Sequence, residues 1–209
     1  MRIIGLTGGI ASGKTTVTRI LERLGAAVVD ADQLAREAVM PGTAGHRAIV
    51  ETFGAGILLP DGAIDRKALG RLIFADPAAR RKLEAITHPA IASLAEQRLA
   101  TLRECGEKVA FYVAPLLIEA GVAGRVDEIW VVYVDRETQL ARLIARDGIT
   151  RAEAEQRLAA QMPMEEKAAR GTVVIDNRGE PGELERQVVM LWERHCGSGH
   201  EKTGNHRVG

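Results

Sequence analysis

Apolar residues come first as a short run, Ile3, Ile4 and Leu6, ending in Gly8-Gly9, and then at helical spacing, Val17, Ile20, Leu21 and Leu24. A short apolar run bounded by glycines predicts a buried strand, and a recurrence every three to four residues predicts one face of a helix. The first elements are therefore a strand over 2–7, a loop, and a helix over 14–24. Gly25 closes that helix, 26–29 reads as a second buried strand, and a new helical pattern starts at Gln33. Strand, helix, strand in this order predicts parallel strands joined by a right-handed crossover. From 41 to 106 the pattern is mainly helical, with breaks expected at Pro41-Gly42, Pro60-Asp61-Gly62, Asp76-Pro77 and His88-Pro89. Strand patterns return at 108–113 and 128–134, helical ones at 137–146 and 151–161, a last strand at 172–175 and a last helix at 184–195. The pattern predicts an α/β domain, a parallel sheet flanked by helices and carrying a helical insertion.

Composition narrows the functions open to such a domain. At 209 residues the chain is long enough to bury one core with a small insertion riding on it. Lys plus Arg and Asp plus Glu number 28 each, so no global field draws the protein to nucleic acid or to an anionic membrane, and any phosphate binding must be local. Aromatic residues are only 3%, which argues against a nucleic-acid motor with base-stacking platforms. The seven residues before Gly8 are too short for a signal peptide or a membrane span, so a cytoplasmic protein is expected. Cys105 and Cys196 lack a C-x-x-C companion and read as plain thiols. The stretch 197–209 has one large apolar residue and reads as a disordered tail.

Chemistry enters at Gly8-Gly9-Ile10-Ala11-Ser12-Gly13-Lys14-Thr15, which matches G-x-x-x-x-G-K-[ST] at every fixed position, where the first strand gives way to the first helix. Glycines let backbone N–H groups converge on phosphate oxygens, and the helix dipole favours an anion there. Residues 8–16, with Thr16 closing the run, are the expected ATP site. Lys14 reaches the β- and γ-phosphates and the Thr15 hydroxyl ligates Mg²⁺. Such a loop serves ATPases, GTPases and kinases alike, so other residues must decide.

Asp30 and Asp32 stand at the carboxyl end of the second strand, the edge where ligands bind in open α/β sheets. A carboxylate there can hold an acceptor hydroxyl in line, and phosphoryl transfer asks more for positioning than for basicity. Asp32 is the candidate base. The competing reading makes it the N-cap of the helix from Gln33; of the two aspartates, Asp30 is the one expected to serve structure or outer-shell magnesium water. Arg142 and Arg146 share a helix face, either a lid over the triphosphate or a solvated basic surface.

The segments Gly-Leu-Thr-Gly-Gly-Ile-Ala-Ser-Gly-Lys-Thr, Val-Asp-Ala-Asp-Gln-Leu-Ala-Arg, Thr-His-Pro, Ala-Pro-Leu-Leu-Ile-Glu and Val-Ile-Asp-Asn-Arg-Gly occur in an order that resembles the dephospho-CoA kinase family, from Arg2 to His195. The resemblance implies a P-loop kinase of 1–196 that phosphorylates the ribose 3′-hydroxyl of dephospho-CoA with ATP and Mg²⁺, the last step of coenzyme A synthesis. Its core would be 1–32, 107–137 and 171–196, its CoA-side insertion 33–106 and its lid 138–170. It implies Asp32 as base, Thr7 beside the acceptor, Asn177 near the adenine and His88 within the CoA-side pocket, although His88 also fits a helix stop before proline. Pro115 and Leu116, after the strand 108–113, would form an apolar wall of the acceptor site, while Glu119 reads better as a helix surface charge. Catalysis would rest on Asp32, Lys14 and Arg142, with Arg146 as a further ATP contact.

Two positions depart from the family pattern. Ala11 stands where the loop usually carries a third glycine, which is harmless at negative φ and strained at positive φ. Gly171-Thr172 replaces an Ala-Asp pair before the last strand. Two other readings remain: a P-loop kinase for a different small acceptor, and a non-catalytic ATP-binding switch.

Overall fold

The computed structural model describes residues 1–197, so most of the tail expected at 197–209 lies outside the described residues. Five strands form one sheet, β1 (Arg2–Thr7), β2 (Ala27–Asp30), β3 (Val109–Val113), β4 (Glu128–Tyr133) and β5 (Val173–Asp176), in the order β2-β3-β1-β4-β5. β1 pairs in parallel with β3 and with β4, and β4 in parallel with β5. Parallel strands require helical crossovers, and the helices duly cover the sheet.

Residues of alternate register share a face of the sheet. Ile4, Leu6, Val109, Phe111, Val113, Trp130, Val132 and Ile175 point one way and pack on α1 (Lys14–Arg23) through Val17, Ile20 and Leu21 and on α9 (Pro181–Cys196) through Leu184, Val188 and Trp192. Phe111 meets the Trp130 ring edge-on at 5.2 Å. On the other face Gly5 lies against Leu117 and Val126, since any Cβ there would stand 2.8 Å from a Leu117 methyl. The helices α6 (Arg136–Asp147) and α7 (Arg151–Ala159) form a smaller core through Leu140, Leu143, Ala154 and Leu158, against which Ile10 and Ala11 pack. The six-residue α8 (Met164–Ala169) leads into β5. At the second departure from the family pattern, the Thr172 hydroxyl accepts from Ile129 N at 3.0 Å and helps start the β4–β5 pairing.

Residues 29–105 form a separate helical unit, with α2 (Ala31–Glu37), α3 (Ala44–Phe53), α4 (Arg66–Ala75) and α5 (Pro77–Glu104). Its core is Ile49, Ile57, Ile64 and Leu69, flanked by Phe53, Leu83 and Ile86. The break expected at His88-Pro89 is absent, because α5 runs for 28 residues through Pro89. A proline removes one helical N–H and crowds the carbonyl four residues back, here that of Ala85, which faces solvent and can turn to water. The turns before it are held by Leu83 and Ile86 in the core, and Thr87 donates to the Leu83 carbonyl at 2.9 Å. His88 is thus an exposed mid-helix residue rather than a helix stop. Among the described residues no helix is long and apolar enough to cross a membrane.

Candidate active site

The loop between β1 and α1 is shaped by two glycines. A Cβ at Gly8 would stand 2.6 Å from Ser12 Oγ and 2.7 Å from the Val132 carbonyl. Gly13, the N-cap of α1, has φ 94°, and a Cβ there would collide with the Asn177 amide. Between them Ala11 has φ 58°, so the departure from glycine falls in the strained left-handed region. The Lys14 ammonium folds back over the loop, donating to the Gly8 carbonyl at 2.6 Å and to that of Gly9 at 3.1 Å. Ser12 Oγ is buried with no hydrogen-bond partner, an orphaned polar atom inside the cradle.

Other elements grip this loop from outside. The buried Asn177, just after β5, donates from Nδ2 to the Ser12 carbonyl at 2.8 Å, and Arg142 of α6 donates to the Asn177 carbonyl at 2.9 Å. That places the Arg142 guanidinium beside Gly13, with Nη1 4.0 Å from where a Cβ would stand. Gln139 donates to the Ile10 carbonyl at 2.8 Å, Gln161 accepts from Ile10 N at 2.8 Å, and Met164 Sδ accepts from Gly9 N at 3.0 Å. A cavity of about 220 Å³ lies behind these contacts, walled by Arg136, Gln139, Leu158, Met162 and Glu165 among others. Arg146, one turn beyond Arg142, is turned away to Asp147, which it holds at 2.7 and 3.1 Å while Arg157 holds it at 2.6 Å.

The Thr7 hydroxyl, buried at the end of β1, donates to the Pro115 carbonyl at 3.1 Å. Pro115 opens the turn after β3, and Leu116 beside it is exposed. The same carbonyl accepts from Lys167 Nζ at 2.8 Å, and that ammonium also meets Glu119 at 2.7 Å. Glu119 is therefore no ordinary surface charge. Burial pushes its carboxyl up, but the Lys167 hydrogen bond, the nearby backbone N–H groups and the Lys167 charge outweigh this and leave it below the ordinary value.

Asp30 caps α2, accepting from Asp32 N at 2.8 Å and Gln33 N at 3.4 Å. The helix thus starts at Ala31, and Asp32 is exposed in its first turn and is not the cap. Asp135, at the end of β4, caps α6 through Thr138 N at 2.9 Å and Thr138 Oγ1 at 2.8 Å. These two hydrogen bonds, backbone first, hold its carboxyl below the usual range against a smaller opposing effect of burial. Asp176 and Arg178 pair with each other at 2.6 Å, and Arg178 lies 5.4 Å over the Tyr133 ring.

Sequence reading missed Gln139, Gln161, Met164 and Lys167. Gln139 carries a weak signal, a polar residue on the apolar face shared by Leu140 and Leu143. Lys167 carries none, since Glu-Glu-Lys-Ala-Ala looks like an exposed helix.

A Lys-bearing loop at a helix head, with an asparagine after the edge strand β5 and an arginine of α6 converging on it, defines a P-loop kinase core. The model of the dephospho-CoA kinase family matches residues 2–183. The chain is 74% identical over 194 residues to dephospho-CoA kinase of Geobacter sulfurreducens, covering 93% of this chain and 98% of that one. It is 72% identical to that of Geobacter metallireducens, over 92% of this chain and 96% of the other. The solved structure of dephospho-CoA kinase from Campylobacter jejuni superposes with a TM-score of 0.72 at 28% identity, covering 94% and 99% of the two chains. The chain belongs to the dephospho-CoA kinase family.

Proposed function

We propose that the chain transfers the γ-phosphoryl group of ATP to the ribose 3′-hydroxyl of dephospho-CoA, with Asp32 as the base, giving coenzyme A and ADP. The observation that carries this reading is the loop of residues 8–16 with Lys14 and Arg142 gathered on it, in a chain whose family match spans nearly the whole fold. The α1 N-terminus and the loop amides bind the triphosphate, and Ser12 Oγ, buried without a partner, is one more donor for it. Lys14 exchanges the Gly8 and Gly9 carbonyls for phosphate oxygens. Arg142, already held beside Gly13, neutralises charge that spreads during transfer. Arg146 joins it only by leaving Asp147, which ties its contribution to movement of the lid.

The donor set suits magnesium rather than a tightly caged metal. Among the described residues no cluster of three or more His, Cys, Asp or Glu could hold a metal ion, and the exposed Thr15 offers one hard oxygen at the head of α1. Magnesium keeps most of its waters and binds through few protein oxygens plus phosphates, so Thr15 Oγ1 would hold it and the ion would draw charge from the β- and γ-phosphates.

On the acceptor side, Asp30 and not Asp32 caps α2, and the exposed place of Asp32 in the first turn supports its assignment as base. An aspartate of ordinary acidity suffices, because the attacking hydroxyl loses its proton late in a loose transition state. Thr7, Pro115 and Leu116 form one wall for the ribose, His88 a contact of the CoA-side unit, and Asn177 the link between the loop and the adenine side. A cytoplasmic setting fits a kinase that takes ATP and dephospho-CoA as its small-molecule substrates.

The direct test incubates the protein with ATP, magnesium and dephospho-CoA and follows coenzyme A by mass, with Asp32→Asn alongside. Coenzyme A from the parent, and a variant slower by about 10² or more, is the expected result. Equal rates would make Asp32 structural, and ATP binding without coenzyme A would remove the acceptor assignment.

A further inference from the structure

Lys167 is fully buried at 0% side-chain exposure, and its partner Glu119 retains 22%. Burying an ammonium costs several kcal/mol, and apolar replacements of a buried ion pair are often neutral or stabilising, so stability alone does not account for this lysine. Its surroundings suggest what does. Nζ is pinned between the Glu119 carboxylate at 2.7 Å and the Pro115 carbonyl at 2.8 Å, and Thr7 donates to the same carbonyl at 3.1 Å. Glu119 is itself steadied by Met162 N at 3.2 Å. Three residues before Lys167, and so on the same helical face, Met164 takes the Gly9 N–H at 3.0 Å. One turn of α8, a rise of about 5 Å, thus sets the spacing between the phosphate loop and the turn that follows β3.

We propose that Lys167 is a positioning residue for phosphoryl transfer: locked by Glu119, it holds the Pro115 carbonyl and the Thr7 hydroxyl at the spacing from the phosphate loop that the acceptor ribose requires. This rests on the proposed placement of the acceptor along Thr7 and Pro115. Lys167 touches no reacting atom in this scheme. Its effect is geometric, and a misplacement of about 1 Å between reacting groups costs up to about 10²-fold in rate. Because water as an acceptor is small and needs no such wall, loosening the turn slows transfer to dephospho-CoA while sparing the slow hydrolysis of ATP.

The test is the ratio of coenzyme A formation to ATP hydrolysis in the absence of acceptor. It is measured for the parent and for the double variant Lys167→Met, Glu119→Leu, which removes both charges and leaves neither orphaned. The expected double variant melts within about 4 °C of the parent, as a near-neutral apolar replacement should. It hydrolyses ATP within about twofold and forms coenzyme A about 10- to 100-fold more slowly, with the KM for ATP unchanged. Equal loss in both reactions would show that Lys167 only supports the fold, and coenzyme A formation within twofold of the parent would show that it only neutralises Glu119. Either overturns the proposal. Should the double variant fail to fold, Glu119→Gln keeps an oxygen for Met162 N and Lys167 but slackens the hold on the ammonium. A lowered ratio is then expected, and an unchanged one overturns the idea. A parent that hydrolyses ATP yet forms no coenzyme A would instead sink the functional reading, before any variant is compared.

Discussion

In the phosphate loop Ala11, at φ 58°, and Gly13, at φ 94°, adopt left-handed backbone, and swapping their types should have opposite consequences. At Ala11 the side chain costs about 1–2 kcal/mol in this conformation. Replacing it with glycine removes that strain but gives back about 0.4–1 kcal/mol, because the unfolded chain becomes freer. It also deletes a half-buried methyl packed on the Leu140–Leu143 cluster, worth about half of the ~0.8 kcal/mol of a fully buried one. The balance leaves Ala11→Gly stabilising by about 0.5 kcal/mol, or about 1–2 °C in Tm for a chain of this size. Gly13→Ala adds the same left-handed strain and drives a methyl into the Asn177 amide, breaking its buried bond to the Ser12 carbonyl. With about 1–3 kcal/mol for that bond, the total is about 3 kcal/mol and the fall in Tm about 6–12 °C. Urea unfolding and thermal melts without nucleotide measure both. A loss of more than about 1 kcal/mol in Ala11→Gly, or less than about 1 in Gly13→Ala, would refute the reasoning, since strain at one site and collision at the other could not then be the governing terms.

Three further outcomes are expected. The folded state holds the Glu119 carboxyl below its ordinary value of 4.5, so its contribution to stability is full above that pH and is lost as pH falls through the folded value. Acid titration of unfolding should accordingly be shallower below pH 4.5 in Glu119→Gln than in the parent, and identical slopes would exclude this linkage. Asp135→Ala should lose the α6 N-cap, costing about 1 kcal/mol in urea unfolding, whereas Asp135→Asn should keep most of it. Cys196 is buried, and that burial pushes its thiol up to about 11. A maleimide at neutral pH should therefore modify only the exposed Cys105 until denaturant is added, as mass spectrometry would report.

What was legible in the sequence is what is contiguous. The phosphate loop needs eight consecutive residues and the strand and helix that flank it, so its chemistry and local structure can be read together from Leu6 to Thr16. The strands were legible because residues buried on both faces leave unbroken apolar runs. The long helix through Pro89 was not, because the propensity against proline is overridden by packing from α2, α3 and α4 that no local window contains. Nor could the sequence decide between Asp30 and Asp32 as the cap of α2. They differ by two positions, and the choice depends on where the chain leaves β2.

The sequence by itself determined the fold class, the phosphate loop and, through five short segments in order, the kinase family. Only the tertiary structure decided the hand of Ala11, the separation of Arg142 from Arg146 and the burial of Lys167 against Glu119 and Pro115. The physical reason is the same in each case. A motif carries its information in neighbours along the chain, whereas the packing around Ala11, the partner of Arg142 and the surroundings of Lys167 come from residues tens of positions away.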